Sequence, residues 1–470
     1  MENTAENTAG YKSYAVIDFS GGLNNKVDAN LIQDNQCTDV QNCIAPIIGR
    51  LQRRKGQVKL NSTALAGEIQ GLHAYYYGDN LENRKLIAVS GGAAKYWDSK
   101  NGFTDVKTGL SATVPVMFET CVNYMVGMDG VNKPWKWDGT EATDLEGAPA
   151  AGSCPVLFAE KLFCIADKET VRWSNSFAPE DWEDVNVWAF DRGDGDELSG
   201  LFVYNGGREL LACKKRSIYR LVGTDISNFR ANRTENRYGV AGPRAGVVVD
   251  PYFYYISEDG IFRWDGMESA NLTSNTIPLT WENVNKKYLN TAVAARVDNR
   301  IWFCVPEGQS STNNLVLVYD LDYKSWWVFR GIALSCFVNF NDGDSVKIYA
   351  GHALAGHVIQ QNVGYNDMGL AIESYWVGKN FDGGDPVRIK KFKKAFAVDA
   401  KDLNDAIFYY SLDYGPFQAP STKTDIKNVR KYSITSDKGR YFQSKFAHTA
   451  ADKDFCLSGF EVLYKLKKQK

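Results

Sequence analysis

The chain has 470 residues, a formal net charge of −2, and 13% aromatic residues (Tyr 25, Phe 24, Trp 12) beside 41 glycines. So small a net charge gives no global field to recruit nucleic acid or an anionic membrane, and no run reaches the ~18 apolar residues of a membrane span. The length exceeds an ordinary single domain, so several domains or one large radial repeat is expected, built from strands and turns more than helices.

Residues 1–10 are polar, lack the basic start and apolar stretch of a signal peptide, and read as a disordered terminus of a chain folded in a cytoplasm. Residues 11–67 form an N-terminal extension. Within it, Val40, Cys43 and Ile44 recur at helical spacing ahead of Pro46, which predicts a short helix packed on a sheet. A basic strand follows, with Arg50, Arg53 and Arg54 as candidate contacts to a partner or to phosphate, or as a solvated strand end.

From residue 68 to 364 one design recurs: strand, glycine turn, strand ending in Tyr or Trp, turn. Its clearest copy is Pro251–Ile256, Asp259-Gly260, then Ile261-Phe-Arg-Trp264 and Asp265-Gly266. Asp-Gly takes the positive φ that tight hairpins need, so the two runs read as paired strands. The design repeats at Val122–Gly139 and more loosely at Lys85–Phe103. Seven units can be marked, at roughly 68–110, 113–147, 153–188, 197–224, 243–273, 290–332 and 334–362, near the ~40–45 residues of a four-stranded propeller blade. The expectation is an all-β chain with a β-propeller of about six to eight blades. Stacked β-sandwiches are the second architecture, disfavoured because they need long crossing connections. The shared Trp-Asp setting predicts that Trp97, Trp137 and Trp264 occupy equivalent places near the ends of strands.

A composition shift around 365–385 marks a boundary. Beyond it, residues 365–470 alternate in the strand manner and predict a C-terminal β-sandwich-like sub-domain. Its first strand carries Arg388, Lys390, Lys391, Lys393 and Lys394, a second group of candidate partner or phosphate contacts.

No constellation demands chemistry. The nine cysteines form no C-x-x-C pair and read as free thiols, with Cys164, Cys213 and Cys304 inside apolar strand-like runs. His352 and His357 read as surface residues, and the four histidines do not supply zinc spacing. The acidic run Asp191-Arg-Gly-Asp-Gly-Asp-Glu197 offers oxygen ligands for Ca²⁺ but lacks the EF-hand order, so a solvated turn is favoured. There is no G-x-S-x-G, P-loop or strand-borne G-x-G-x-x-G. The expectation is a non-enzyme without catalytic residues, cofactor or metal.

Val171-Arg-Trp-Ser-Asn-Ser-Phe-Ala-Pro-Glu-Asp-Trp182, Gly193–Leu201 with Glu209–Gly223, Tyr238-Gly-Val-Ala-Gly-Pro-Arg-Ala245 and Ser257–Gly266 resemble segments of virion β-propeller proteins of tailed bacteriophages. These are the head-completion or DNA-stabilisation proteins and the short-tail nozzle proteins. The opening Phe19-Ser-Gly-Gly-Leu-Asn24, with Asp39–Asn42 and Gly49–Gly56, is similar to their start. The resemblance covers most of residues 15–362 and rests mainly on turns and strands. It implies a structural virion protein made in the bacterial host cytoplasm: a ring subunit of the tail below the portal, six copies in such parts, lining the channel by which genomic DNA leaves. Its partners would be itself and other tail or connector proteins. The rival reading is a propeller binding module that recognises a host-surface glycan or another virion protein.

Overall fold

The computed structural model describes residues 10–78, 80–401, 406–426, 428–435 and 437–467. The terminus expected to be disordered therefore lies, apart from Gly10, outside the described residues.

Strands dominate, and one short α-helix (Pro278–Glu282) is present among the described residues. Six four-stranded antiparallel sheets follow one another, each strand beside the next in sequence. Sheet 1 runs from Ile69–Tyr76 to Gly102–Lys107, and sheet 2 from Met117–Cys121 to Ala142–Asp144. Sheet 3 runs from Ser153–Phe158 to Val187–Ala189, and sheet 4 from Leu198–Tyr204 to Arg230–Arg233. Sheet 5 spans Gly246–Val249 to Ser269–Asn271, and sheet 6 spans Val293–Val297 to Trp326–Arg330. Sheet 7 has three strands of this kind, Leu334–Asn341, Val346–His352 and Val358–Gln361. Its fourth place is filled from the start of the chain by Gln57–Lys59, antiparallel to Val358–Gln361. The first strand of each sheet packs on the first strand of the next, and that of sheet 7 packs on that of sheet 1.

Local chemistry accounts for the repetition. Trp97, Trp137 and Trp264 each lie near the end of the third strand of their sheets, one residue before an aspartate. That aspartate closes the turn to the fourth strand: Asp98, Asp138 and Asp265 each accept two backbone N–H groups, from the residues two and three places on. These bonds favour the carboxylate and hold all three pKa values below the usual range. Trp137 and Trp264 are buried against neighbouring strands, whereas Trp97 keeps one part exposed and meets Phe103 edge-on at 5.1 Å. In sheet 5 the hairpin turn is Glu258–Asp259, because Ser257 pairs with Gly260. Gly260 thus starts the returning strand, so the turn falls one place earlier than the Asp-Gly turn expected, and its φ of +146° with Thr273 Oγ1 2.5 Å from any Cβ leaves room for glycine alone.

Both ends of the chain build a second body of two sheets. An eight-stranded sheet runs Thr422–Ile426, Val429–Ser433, Lys390–Lys401, Cys456–Leu466, Leu51–Arg53, Cys43–Ile44, with Lys12–Val16 and Lys438–Gly439 also paired into it. A four-stranded sheet runs Ala406–Leu412, Phe442–His448, Ser374–Val377, Asp39–Gln41. Phe408 and Phe446 of the latter each reach Phe460 of the former at 5.4 Å between ring centres, so the two sheets share a core.

Three boundaries differ from those expected. The segment expected as a short helix forms strands at Gln36–Cys37, Asp39–Gln41 and Cys43–Ile44. Its apolar spacing is helical, but Asn42 sits at φ +54° and breaks the run. The Asn42 amide bonds the carbonyls of Arg330 and Glu373 at 3.1 and 2.7 Å, contacts that repay the bend with tertiary partners. The extension 11–67 is shared out: four of its strands join the C-terminal sheets, Gln57–Lys59 joins sheet 7, and Gly22–Leu23 pairs with Gln36–Cys37. Residues 366–371 also pair into sheet 7, past the boundary placed at 364.

Candidate functional site

The first strands of successive sheets pack on one another, and one loop reaches several of them. Gly242-Pro243-Arg244 precedes sheet 5, and Gly242 lies so close to Asn290 that an added Cβ would sit 2.4 Å from its carbonyl oxygen. The Arg244 guanidinium donates to Gln70 O at 2.6 Å, Val116 O at 2.7 Å and Ser335 O at 3.2 Å. Those carbonyls belong to sheet 1, the approach to sheet 2, and sheet 7, while the Arg244 carbonyl accepts Ala294 N–H of sheet 6 at 2.8 Å. One residue, by its side chain and its backbone carbonyl, therefore links sheets 1, 6 and 7 and the approach to sheet 2. Burial pushes its pKa down from the ordinary arginine value.

Around this loop lie cavities of about 250, 180 and 290 Å³, all lined by Pro243. The first adds Asp129, Ser153 and Lys215, the second Glu68 and Arg244, the third Phe118, Phe202 and Phe337. Burial raises the Glu68 carboxyl. Beside the cavities, His73 bonds Thr120 across sheets 1 and 2 at 2.8 Å and stacks on Phe118 at 5.5 Å, and burial lowers its pKa to about 4.

The basic residues singled out from sequence divide into two groups. Arg53 is fully buried, bonding His448 Nδ1 at 2.8 Å, Ala450 O at 2.6 Å and Tyr365 O. Arg54 is 3% exposed, pairs with Asp367, bonds Asn42 Oδ1 at 2.9 Å and covers the Phe329 ring at 5.4 Å. Lys390 is buried, its ammonium donating to the carbonyls of Asp385, Arg388 and Arg440 at 2.6 to 3.0 Å. Desolvation lowers its pKa. These three are internal braces at the junction of the two bodies and inside the second one; they cannot meet a partner or a phosphate. Arg50, Lys391 and Lys393 are exposed, while Arg388 and Lys394 are half-buried. Arg388 donates to Lys467 O at 2.9 Å, and Lys391 pairs with Asp437 at 2.9 Å.

The acidic run is likewise satisfied from within. Asp191 accepts the Tyr219 hydroxyl at 2.7 Å, Asp194 pairs with Lys214 at 2.9 Å, and Asp196 takes the N–H groups of Lys215 and Arg216 at 3.1 and 3.0 Å. Among the described residues no group of three or more His, Cys, Asp or Glu is placed to hold a metal ion. The nine cysteines are buried free thiols. His352 and His357, expected at the surface, are half-buried at a hairpin end, joined by His352 N–H to the His357 carbonyl at 3.1 Å. No helix among the described residues is long and apolar enough to cross a membrane.

Arg244 and Asn42 escaped the sequence reading. Gly242-Pro243-Arg244 enters the sequence reading only within the resembling segment Tyr238–Ala245, because nothing local shows that Arg244 reaches carbonyls of distant sheets.

No protein-family model and no curated protein matches the chain. Among solved structures, the crystal structure of the computationally designed Ika8 protein is similar at 12% identity and a TM-score of 0.42, over 66% of this chain and 100% of that one.

Proposed function

We propose that the seven sheets are the blades of a closed β-propeller, and that the chain is a structural subunit of a tailed-phage virion. In this reading it is a ring-forming tail nozzle or head–tail completion protein below the portal. Closure is supported by the packing of each first strand on the next, sheet 7 on sheet 1 included, and by Gln57–Lys59 completing sheet 7. The virion reading comes from the resemblance of Val171–Trp182, Tyr238–Ala245 and Ser257–Gly266 to phage propeller proteins. The observation that carries a scaffold role is Arg244, whose three carbonyl bonds bar the interior to any polymer. DNA would therefore pass through a channel shared between copies, and closed cyclic symmetry is the usual way to build one.

The test is to tag the C-terminus in the producing phage and image purified particles. The expected result is density in a ring on the tail axis below the portal, with particles lacking the protein failing to retain DNA. Tagged protein absent from particles, or particles that hold and deliver DNA without it, would overturn the reading.

A further inference from the structure

The segment between the third and fourth strands of sheet 3 breaks the regular pattern. Thirteen residues separate Trp173 from Val187, against four between Trp137 and Ala142 in sheet 2. The longer connection is nevertheless tightly braced. Asn175 N–H bonds Asp181 O at 2.7 Å, the Asn175 amide reaches Asp181 Oδ2 and Glu183 Oε1 at 2.8 and 2.9 Å, and Trp182 Nε1 donates to Pro179 O at 2.7 Å. Phe177 is held at φ +56°, rare for a bulky side chain, with its N–H on Glu160 O at 2.9 Å. It is 66% exposed, and Val185 is 61% exposed. Glu180, Asp181, Glu183 and Asp184 stand exposed around them. A rigid loop with an outward aromatic set among acids has the make-up of an interface anchor.

The complementary surface lies on the same chain. On the eight-stranded sheet, Phe392, Ala395 and Ala397 face inward at 0% exposure, so Lys391 and Lys393 face out. Lys391 stands opposite both Lys465 and Lys438, and the ammonium groups of Lys393 and Lys465 lie 5.6 and 5.7 Å from the Tyr11 ring. Val398 at 40% exposure and Ile17 at 74% give this basic face an apolar end. The two surfaces cannot meet within one copy. The second body contacts sheets 6 and 7, through Arg54 over Phe329 and through residues 366–371, whereas sheet 3 is three to four places away around the ring.

We infer that loop 174–186 of one copy docks on the basic face of the eight-stranded sheet of a second copy, Phe177 and the acids of the loop meeting Lys393, Lys465 and the apolar end. Two different surfaces on opposite sides of one subunit make a head-to-tail contact, which closes into a ring when the rotation allows. The inference rests on the ring-subunit reading and names the surfaces that join its copies.

The experiment is sedimentation of the full-length chain over a concentration series, at 0.1 and 0.5 M NaCl. Salt at that level screens rim charges, so association should weaken at 0.5 M. Phe177→Gly should weaken it about tenfold or more without lowering the melting temperature, since glycine takes a positive φ freely. Asp184→Lys with Glu183→Lys, and separately Lys393→Glu with Lys465→Glu, should each abolish association. An equimolar mixture of the two reversed proteins should restore it, because each then offers the other a complementary face. Association indifferent to both reversals overturns the inference and leaves the ring reading standing. A chain monomeric at every concentration and salt overturns the inference too, and the particle imaging then decides the ring reading by itself. Binding of a duplex DNA fragment that is lost with Lys393→Glu and Lys465→Glu, without self-association, assigns the basic face to a polyanion and also overturns it.

Discussion

The Arg54 guanidinium and the Asp367 carboxylate meet in a buried two-point contact, Nη1 to Oδ1 at 2.9 Å and Nη2 to Oδ2 at 2.5 Å. Their side chains are 3% and 9% exposed. The pair joins the residue that follows Leu51–Arg53 of the second body to Asn366–Asp367 of sheet 7, so it fastens the two bodies at one point. A buried pair is not in itself a large source of stability, but removing one partner strands the other charge, which costs about 3–5 kcal/mol. Asp367→Ala is therefore expected to lower the urea midpoint by that equivalent. Arg54→Met with Asp367→Leu is expected to recover most of the loss, and a double variant as weak as the single one would show that the ion pair itself is required.

The tryptophans of the third strands predict a graded series. Trp264 is fully buried, so Trp264→Ala should leave a cavity and cost about 3–5 kcal/mol. Trp137, 2% exposed beside Tyr75 and Tyr96, should behave alike. Trp97 keeps part of its ring in solvent, so Trp97→Ala should cost clearly less. Chemical denaturation of the three variants checks the order, and a loss at Trp97 equal to that at Trp264 would contradict it.

The contrast between these tryptophans and the chain's opening explains what could be read from sequence. A hairpin such as 252–264 is specified by residues within a dozen positions: an apolar strand, a turn containing Asp259, and Asp265 to end the return. Copies of it announce the repeat and its approximate limits. Gln57–Lys59 and Leu51–Arg53 instead pair with Val358–Gln361 and Cys456–Leu466, some 300 to 400 residues away, and no local pattern encodes that pairing. The helical spacing of Val40, Cys43 and Ile44 was real, but the tertiary bonds of Asn42 outweighed it. For the basic clusters, sequence showed charge and could not show burial. Arg53 and Lys390 look like surface cations until the carbonyls that surround them are seen.

His73 sets a dependence on acid. Its imidazole is neutral in the fold, with a pKa lowered to about 4 by burial, against about 6.5 when unfolded. A depressed value means that the stability it allows is fully present above about pH 6.5. That stability is lost as pH falls through 6.5 towards 4, because the unfolded chain takes up the proton first. The shift corresponds to about 3 kcal/mol at the acid end. His73→Gln keeps a polar group near Thr120 and cannot titrate. Between pH 7.5 and 4.5 the stability of this variant should fall less than that of the natural chain, by a margin of that order. Parallel pH curves would show that His73 does not carry the effect.

Removal of residues 1–60 is the sharpest test of how sheet 7 and the second body hold together. If the opening were an appendage, the truncated chain would keep its seven sheets and lose only contacts with neighbours. The pairing argues otherwise. The deletion removes Gln57–Lys59, which lies between Val358–Gln361 and Asn366–Asp367 in sheet 7. It also takes Lys12–Val16, Asp39–Gln41, Cys43–Ile44 and Leu51–Arg53 from the second body, with Arg53, Arg54 and the Asn42 bonds. Val358–Gln361 and Cys456–Leu466 would each be left with an unpaired edge, and a long exposed edge invites association with other chains. The truncated protein is thus expected to be aggregated or to lose its cooperative unfolding transition. Far-ultraviolet circular dichroism and a urea titration decide it. A soluble truncated chain with full strand content and one sharp transition would mean that sheet 7 closes without its borrowed strand, and that the opening serves assembly alone.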